Sequence, residues 1–341
     1  MIKVAINGFG RIGRNAFKIG FAHPDLKIVA INDLTDTKTL SHLLAHDSNY
    51  GHYDQLVSHD DSNIIVGKEP VAVLAEKDPA HLPWKDLEVD VVIESTGRFT
   101  HHDDLMKHIK AGAKKVVLSA PEKDDNLQHH DTFIMGVNEG DIADTHQILS
   151  NASCTTNNVT PVAFIIDGAF GIDKAMMTTV HSYTASQALQ DAPNKDLREG
   201  RNAAENIVPT STGATIAAAK AFPPLAGIFA GLSVRVPTPV VSLSDFTFVV
   251  KKPTTIEEVN ATIKKAAASD RFRGILTFTE EELVSSDFIG DSHSSIVDLK
   301  LTNVVGGTLV KVVAWYDNEW GYSNRLIEMV VLAGKMIKKG N

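Results

Sequence analysis

The stretch that most restricts how this chain can fold is Gly8-Phe9-Gly10-Arg11-Ile12-Gly13, because of what flanks it. Residues 2–6 (Ile-Lys-Val-Ala-Ile) read as a short buried strand, and residues 14–21 carry a helical pattern. A second strand, 26–32, runs into Asp33. A G-x-G-x-x-G alone says little. Between strand and helix, with an acid 20 positions past its last glycine, it is the fingerprint of a βαβ unit that holds a dinucleotide. Gly8 permits the tight turn, Gly10 lets a pyrophosphate approach the backbone, and Gly13 lets helix and strand pack closely. The amides at the helix start then face the pyrophosphate. Asp33 is placed for the adenosine ribose hydroxyls, and its carboxylate would repel a 2′-phosphate. Leu34-Thr35-Asp36-Thr37 supplies no arginine to offset that repulsion, so NAD is expected rather than NADP.

The alternation continues with a helix over 36–45, strands at 64–66, 71–75 and 89–93, and a helix over 100–111. Thr100 is that helix's expected N-cap and Gly112 its stop. Strands at 115–119 and 132–137 complete the pattern. Such alternation means a mostly parallel sheet whose ligands lie beyond the carboxyl ends of its strands. Ser95, Thr96, Gly97, Arg98 and Ser119 fall at those ends and are candidate cofactor-lining residues. His101, His102, His108, His129 and His130 cluster nearby, but without cysteine or H-E-x-x-H spacing they read as solvated positions, and no metal is expected.

Mid-chain lies Ser150-Asn151-Ala152-Ser153-Cys154-Thr155-Thr156-Asn157, which holds the single cysteine of 341 residues. Ser153 is a natural N-cap, and Val159, Val162, Ala163 and Ile166 make an apolar stripe after it, although Pro161 should kink the helix or delay its start. A thiol at a helix N-terminus is stabilised as thiolate by the dipole, and the thiolate is the nucleophile. His181, 27 positions on at the end of a strand over 175–181, is the partner expected to act as acid or base. One cysteine excludes an internal disulfide, the N-terminus does not read as a signal peptide, and no apolar run is long enough to span a membrane. A cytoplasmic protein is expected. The net charge of −9 argues against nucleic-acid or anionic-membrane partners.

Beyond the cysteine the texture changes. A long polar stretch, 185–206, precedes Thr210-Ser211-Thr212-Gly213, which opens an alanine-rich helix to residue 221 and makes a candidate phosphate site. Long strands are expected at 228–236, 240–250, 296–301 and 308–316, with a capping box at Thr255 and Glu258 before a helix over 256–268. Long strands with few intervening helices imply an antiparallel sheet. The fold class expected is α/β: a dinucleotide-binding domain over 1–152, an α+β catalytic domain with a mostly antiparallel sheet over 153–317, and a helix over 318–341 packing back on the first domain.

These features together resemble the phosphorylating glyceraldehyde-3-phosphate dehydrogenase family. The resemblance rests on Asn7 to Arg14, Asn32-Asp33, Ser95 to Gly97, Ser150 to Asn157, His181-Ser182-Tyr183-Thr184, Pro209 to Gly213 and Trp315 to Ser323, nearly the whole chain. It implies that Cys154 attacks the aldehyde of glyceraldehyde 3-phosphate, that His181 takes the proton, and that inorganic phosphate releases the thioester as 1,3-bisphosphoglycerate. It further implies Thr184 and Arg235 for the substrate phosphate, with Arg201 a further candidate. Ser153, Thr155, Thr212 and Gly213 serve the attacking phosphate, Asn318 the nicotinamide amide, and Arg11 and Ile12 the pyrophosphate and nicotinamide. A homotetramer is implied, the long polar loop reaching a neighbouring subunit. The chain departs from the family at Asn158, where a second cysteine is common. An erythrose-4-phosphate dehydrogenase and a non-catalytic dinucleotide-fold binding protein are the rival readings.

Overall fold

The computed structural model describes residues 1–123 and 132–339, so His129 and His130 lie outside the described residues. The chain forms two compact units: Met1–Phe133 with Asp141–Ala152 and Ser323–Asn341, and Ile134–Gly140 with Ser153–Tyr322.

In the first unit the sheet order is Ile148–Ser150, Lys115–Leu118, Val91–Glu94, Ile2–Asn7, Leu26–Asn32, Glu69–Leu74, Asn63–Val66 and Val57–His59. It is parallel up to Glu69–Leu74 and antiparallel for the last two strands. Parallel strands are covered on both faces and so read as continuous apolar runs. Alternate residues enter different clusters. Ile2, Val4, Ile6, Ile93 and Val117 pack with Ala16 and Phe17 of α1 (Arg11–Phe21) and Leu40 of α2 (Thr37–Ala45). Ala5, Val92 and Val116 pack with Trp84 and with Leu105 of α3 (His102–Lys110).

Three local expectations differ. α3 starts a residue later than expected, with His101 at its N-cap and Asp103 and Asp104 complementing the dipole. His108 is fully buried rather than solvated, because it shares the inward face of α3 with Leu105, three residues away. Within 132–137 only Thr132 pairs, with Ser150; Gly136 at φ +83° bends the run, and the Val137 amide closes a turn on Ile134.

The second unit's sheet runs Val208–Thr210, Phe229–Val236, Ile172–Ser182, Ser242–Val250, Leu309–Tyr316, Ser295–Asp298 and Leu276–Thr279, with Asn303–Val305 also on Leu309–Tyr316. Its pairings are antiparallel, except that Ile172–Ser182 runs parallel to Phe229–Val236 and Leu276–Thr279 parallel to Ser295–Asp298. Its core packs Val159, Val162 and Ile166 of α4 (Cys154–Phe170), Ala218 of α5 (Ala214–Ala221) and Ile263 of α6 (Ile256–Ala267) with Phe246, Phe248 and Val312 of the strands. The Val, Ile and Phe side chains among these each stabilise the fold by about 1.5–3 kcal/mol when fully buried. α4 is uninterrupted through Pro161, whose missing N–H deprives only the Asn157 carbonyl. The next carbonyl, Asn158, accepts from Ser295 Oγ at 2.6 Å. α7 (Trp320–Lys339) begins in the second unit, and from Ser323 onward it groups with the first, where Leu326, Met329 and Val330 join the Ile2 cluster.

Candidate active site

In the second unit, Ser153 caps α4: its Oγ accepts from the Thr156 amide at 3.0 Å and pairs with Thr156 Oγ1 at 2.7 Å. Two residues before Cys154, Ala152 is fully buried at φ +50°, a conformation that is costly for a residue with a Cβ. Half-buried Cys154 is the first residue of α4, and its Sγ lies 3.4 Å from His181 Nε2. His181 closes from the Ile172–Ser182 strand, and its Nδ1 meets the Ser182 carbonyl at 2.7 Å. A carbonyl only accepts, so Nδ1 carries the proton and Nε2 of the neutral ring faces the thiol as an acceptor.

Electrostatics keep that pair poised. Burial, with the Arg235 guanidinium adding to it, lowers His181 to about 3. Burial pushes the Cys154 thiol up, against the opposing pull of Arg235 and of the Thr155 hydroxyl and amide. The positive end of α4 adds to that pull. The pair therefore holds one proton along the Sγ–Nε2 line.

Arg235 pairs in register with His181 across the parallel strands. Its Nη1 donates to Thr184 Oγ1 at 2.8 Å and toward the Ser182 carbonyl at 3.4 Å, while its Nε is buried with no hydrogen-bond partner among the described residues. Thr184 and Arg235 are thus brought together within reach of His181's strand end. Thr155 is buried, its hydroxyl 2.9 Å from Tyr316 Oη, which lies 2.9 Å from Thr179 Oγ1. Tyr316 also packs edge-on to His181, at 6.0 Å between ring centroids, and burial raises its phenol well above its usual value. No local sequence signal marks Tyr316 as a site residue, although it lies in the Trp315–Ser323 segment. Asn318 Oδ1 accepts from Ser182 Oγ at 3.0 Å and Ser242 Oγ at 3.1 Å, which turns its Nδ2 away from those hydroxyls. Ser242 follows Val241, a β-branched residue held at φ +73°. Gly213 is the N-cap of α5, and Thr212 Oγ1 accepts from the Ala214 amide at 3.2 Å. Arg201 does not join Arg235 and Thr184: its Nε pairs with Asp191 at 2.9 Å within the loop. Asn158 is fully buried and reaches the Ser294 and Trp315 carbonyls at 3.1 and 3.4 Å.

In the first unit the glycine cradle has the shape its sequence demands. Gly8 sits at φ +93°, where a Cβ would come within 2.6 Å of the Thr96 amide nitrogen. A Cβ on Gly13 would collide with the Gly8 carbonyl, whereas one on Gly10 would meet nothing within 4 Å. Gly10 is the N-cap of α1 and has no capping side chain, and no acid stands in that helix's first turn. An open, uncapped helix start beside a backbone-lined turn fits a dinucleotide pyrophosphate. Asp33 accepts from the Phe9 amide at 2.8 Å and the Thr35 amide at 3.0 Å, so the acid is fixed against the glycine turn. Arg11 faces Asp47 at 3.1 Å, and Ile12 is half-buried against the core. Ser95 Oγ closes onto the Gly8 carbonyl at 2.7 Å, Thr96 is bound through its amide to Glu94 at 2.8 Å, Gly97 takes φ +68°, and the Ser119 amide bonds the Glu94 carbonyl at 2.9 Å. Ser95 and Thr96 therefore shape the turn with their side chains. Among the described residues no group of three or more His, Cys, Asp or Glu is arranged to hold a metal, and no helix is long and apolar enough to cross a membrane.

Two family models match the chain. Residues 2–102 match "Glyceraldehyde 3-phosphate dehydrogenase, NAD binding domain", and residues 153–318 match "Glyceraldehyde 3-phosphate dehydrogenase, C-terminal domain". Among similar proteins, glyceraldehyde-3-phosphate dehydrogenase of Geobacillus stearothermophilus is 49% identical over 340 residues, 99% of either chain. The Streptomyces coelicolor protein of the same name is 50% identical over 339 residues, covering 98% of this chain and 99% of its own. Glyceraldehyde-3-phosphate dehydrogenase 1 of Bacillus subtilis is 49% identical over 340 residues, again 99% of both.

Proposed function

This chain belongs to the glyceraldehyde-3-phosphate dehydrogenase family, and on that premise we propose how its own residues divide the reaction. The enzyme oxidises glyceraldehyde 3-phosphate to 1,3-bisphosphoglycerate with NAD and inorganic phosphate. What supports the assignment of roles above all is the Cys154 Sγ to His181 Nε2 distance of 3.4 Å, with the ring's other nitrogen tied to the Ser182 carbonyl.

Cys154 Sγ gives up its proton to Nε2 and attacks the aldehyde carbon, and Nε2 passes that proton to the former carbonyl oxygen, which completes a hemithioacetal and leaves the ring neutral. Nε2 then serves as base for the hemithioacetal hydroxyl, and the carbon is left as a thioester on Cys154. Bound NAD supplies the hydride acceptor. It would be held by Gly8, Gly10, Gly13, Arg11 and Ile12 at the pyrophosphate turn, Asp33 at the ribose, Ser95, Thr96, Gly97 and Ser119 along the crevice, and Asn318 at the carboxamide. Sulfur donates weakly into the thioester carbonyl, so inorganic phosphate can attack it, and His181 returns a proton to the departing thiolate. Arg235 and Thr184 bind the substrate phosphate. The unpaired buried Nε of Arg235 is the donor an anion would satisfy. Ser153, Thr155, Thr212 and Gly213 hold the attacking phosphate.

The protein works as a homotetramer in the cytoplasm. The exposed apolar side chains Leu189, Leu197, Ile207, Ile216 and Leu232 of the second unit support the oligomer, since such a surface is what a subunit contact covers. Sedimentation should give about four times the chain mass, and a monomer at micromolar concentration would refute it.

The deciding experiment follows NADH formation from glyceraldehyde 3-phosphate and NAD, with and without phosphate, with erythrose 4-phosphate in parallel. Fast, phosphate-dependent turnover that prefers the triose is expected. A preference for the tetrose would move the chain to the sister activity, and no NADH from folded, reduced protein would leave only a binding role.

A further inference from the structure

Three adjacent parallel strands of the first unit each end on a polar residue: Ile2–Asn7 on Asn7, Leu26–Asn32 on Asn32 and Val91–Glu94 on Glu94. Asn7 is the register partner of both Asn32 and Glu94. All three are buried, Glu94 completely. They are also hydrogen-bonded side chain to side chain: Asn32 Nδ2 donates to Asn7 Oδ1 at 2.7 Å, and Asn7 Nδ2 donates to Glu94 Oε2 at 2.6 Å. Glu76 clamps the far end, its amide on Asn32 Oδ1 and its carbonyl on Asn32 Nδ2, both at 2.9 Å.

The direction of every bond is fixed. The Trp84 indole can only donate, and it does so to His108 Nδ1 at 3.0 Å. The proton of a neutral His108 must then lie on Nε2, which donates to Glu94 Oε2 at 3.1 Å. On the other side, Thr96 donates both its amide and its hydroxyl to Glu94 Oε1, and that hydroxyl accepts from the Arg98 amide at 3.1 Å. Four donors therefore converge on one fully buried carboxylate, which fills the acceptor sites of an ionised Glu94. The turns leaving these strand ends carry Gly8–Gly10, Asp33 and Ser95–Gly97.

We propose that Glu94 is the positioning residue of the cofactor crevice: its carboxylate draws the three strand ends together, so that the glycine turn and the Ser95–Gly97 turn keep their shape before the dinucleotide arrives. Glu94 touches no reacting atom. Its contribution is to binding, through the preorganised backbone of the turns. The proposal rests on the first unit being the NAD site. That premise fails if the unaltered enzyme does not bind NADH, whereas the proposal fails on the variants.

Glu94→Gln is the sharp test, because it keeps the shape and exchanges an acceptor for a donor. Whichever way its amide is turned, an NH2 faces either Asn7 Nδ2 and His108 Nε2 or the two donors of Thr96. In the full-length protein, NADH titrations should show Kd raised at least ~10-fold. Hydrogen exchange at the Phe9 and Thr96 amides should quicken, with the alkylation rate of Cys154 in the cofactor-free enzyme unchanged. Trp84→Phe, which removes only the outermost donor, should lower the melting temperature and leave Kd within ~3-fold. Equal Kd losses in the two variants at equal loss of melting temperature, or an unaltered Kd in Glu94→Gln, would overturn the proposal. If Glu94→Gln does not fold, His108 supplies the same comparison. His108→Gln keeps both a donor for Glu94 and an acceptor for Trp84 and should bind NADH almost normally, whereas His108→Leu should bind several-fold more weakly. Equal binding by those two would also refute it.

Discussion

Glu94 in the first unit and His181 in the second are both buried ionisable groups near strand ends, and the structure satisfies them in opposite ways. Four donors meet at Glu94, and each bond in its network can run in only one direction. His181 is fixed at one nitrogen only: Nδ1 is tied at 2.7 Å, while Nε2 faces a thiol at 3.4 Å. A group whose hydrogen bonds are complete resists movement, which suits a scaffold for binding. A group left with one weakly engaged acceptor can take a proton and give it back, which suits chemistry. On the roles proposed above, the same polypeptide keeps rigidity where a cofactor is read and an unfinished contact where bonds change.

The largest effect should come from removing the unfinished contact itself. Cys154→Ser leaves the α4 cap and the His181 geometry in place, and turnover should fall by roughly 10⁴-fold or more, because a hydroxyl is a poor nucleophile at neutral pH. NADH affinity should stay unchanged, which a titration would verify. Residual turnover within tenfold of the original would mean that the thiol is not the nucleophile.

His181→Asn comes next. Loss of the base should lower kcat by about 10²–10⁴-fold. The alkylation rate of Cys154 at neutral pH should drop as well, since Nε2 no longer takes the thiol proton. A second readout follows from burial, which holds the folded imidazole at about 3 against an ordinary 6.5. As pH falls below about 6.5 the unfolded chain binds a proton that folded His181 refuses, so stability is lost progressively toward pH 3. Between pH 7 and about 4.5 the loss should reach roughly 2–3 kcal/mol. Denaturant titrations at the two pH values should find that increment in the parent and not in His181→Asn.

What the sequence revealed and what it hid divide along the same line. Gly8 and Gly13 were readable because a positive φ and a backbone contact admit no other residue, so the requirement is written at the position itself. Ser153 and Cys154 were readable because a cap and a helix start are local too. His108 reads as solvated in the sequence because its partners, Glu94 and Trp84, lie 14 and 24 residues away, and nothing local announces such a pairing. Tyr316 went unnoticed for the same reason: its hydroxyl meets Thr155 and Thr179 from 161 and 137 residues away. The segment 132–137 carries strand-like residues, but a turn at Gly136 overrides their propensity.

Gly13→Ala acts on the rigid side of the comparison. The new methyl would collide with the Gly8 carbonyl, a backbone atom that cannot step aside as a side chain would. Overpacking of this kind costs about 1–3 kcal/mol. The glycine turn should open, NADH Kd should rise by about the corresponding 5- to 150-fold, and cofactor-free Cys154 should alkylate at its original rate. Slowed alkylation would show that the damage had spread beyond the first unit.

The smallest expected effect tests how much of the nucleophile's behaviour belongs to its cap. In Ser153→Ala the Thr156 amide loses its 3.0 Å acceptor and Thr156 Oγ1 its 2.7 Å partner, while Asn157 Nδ2 still bonds the residue 153 carbonyl. An N-cap of this kind is worth about 1 kcal/mol, so the melting temperature should fall by only a few degrees. The α4 dipole and Nε2 both remain, so Cys154 should keep most of its reactivity toward an alkylating agent. Ser153 is also assigned to the attacking phosphate, and KM for phosphate should therefore rise more than KM for the aldehyde. A uniform loss in both would make Ser153 a helix cap and nothing more, and would leave the attacking phosphate to Thr155, Thr212 and Gly213.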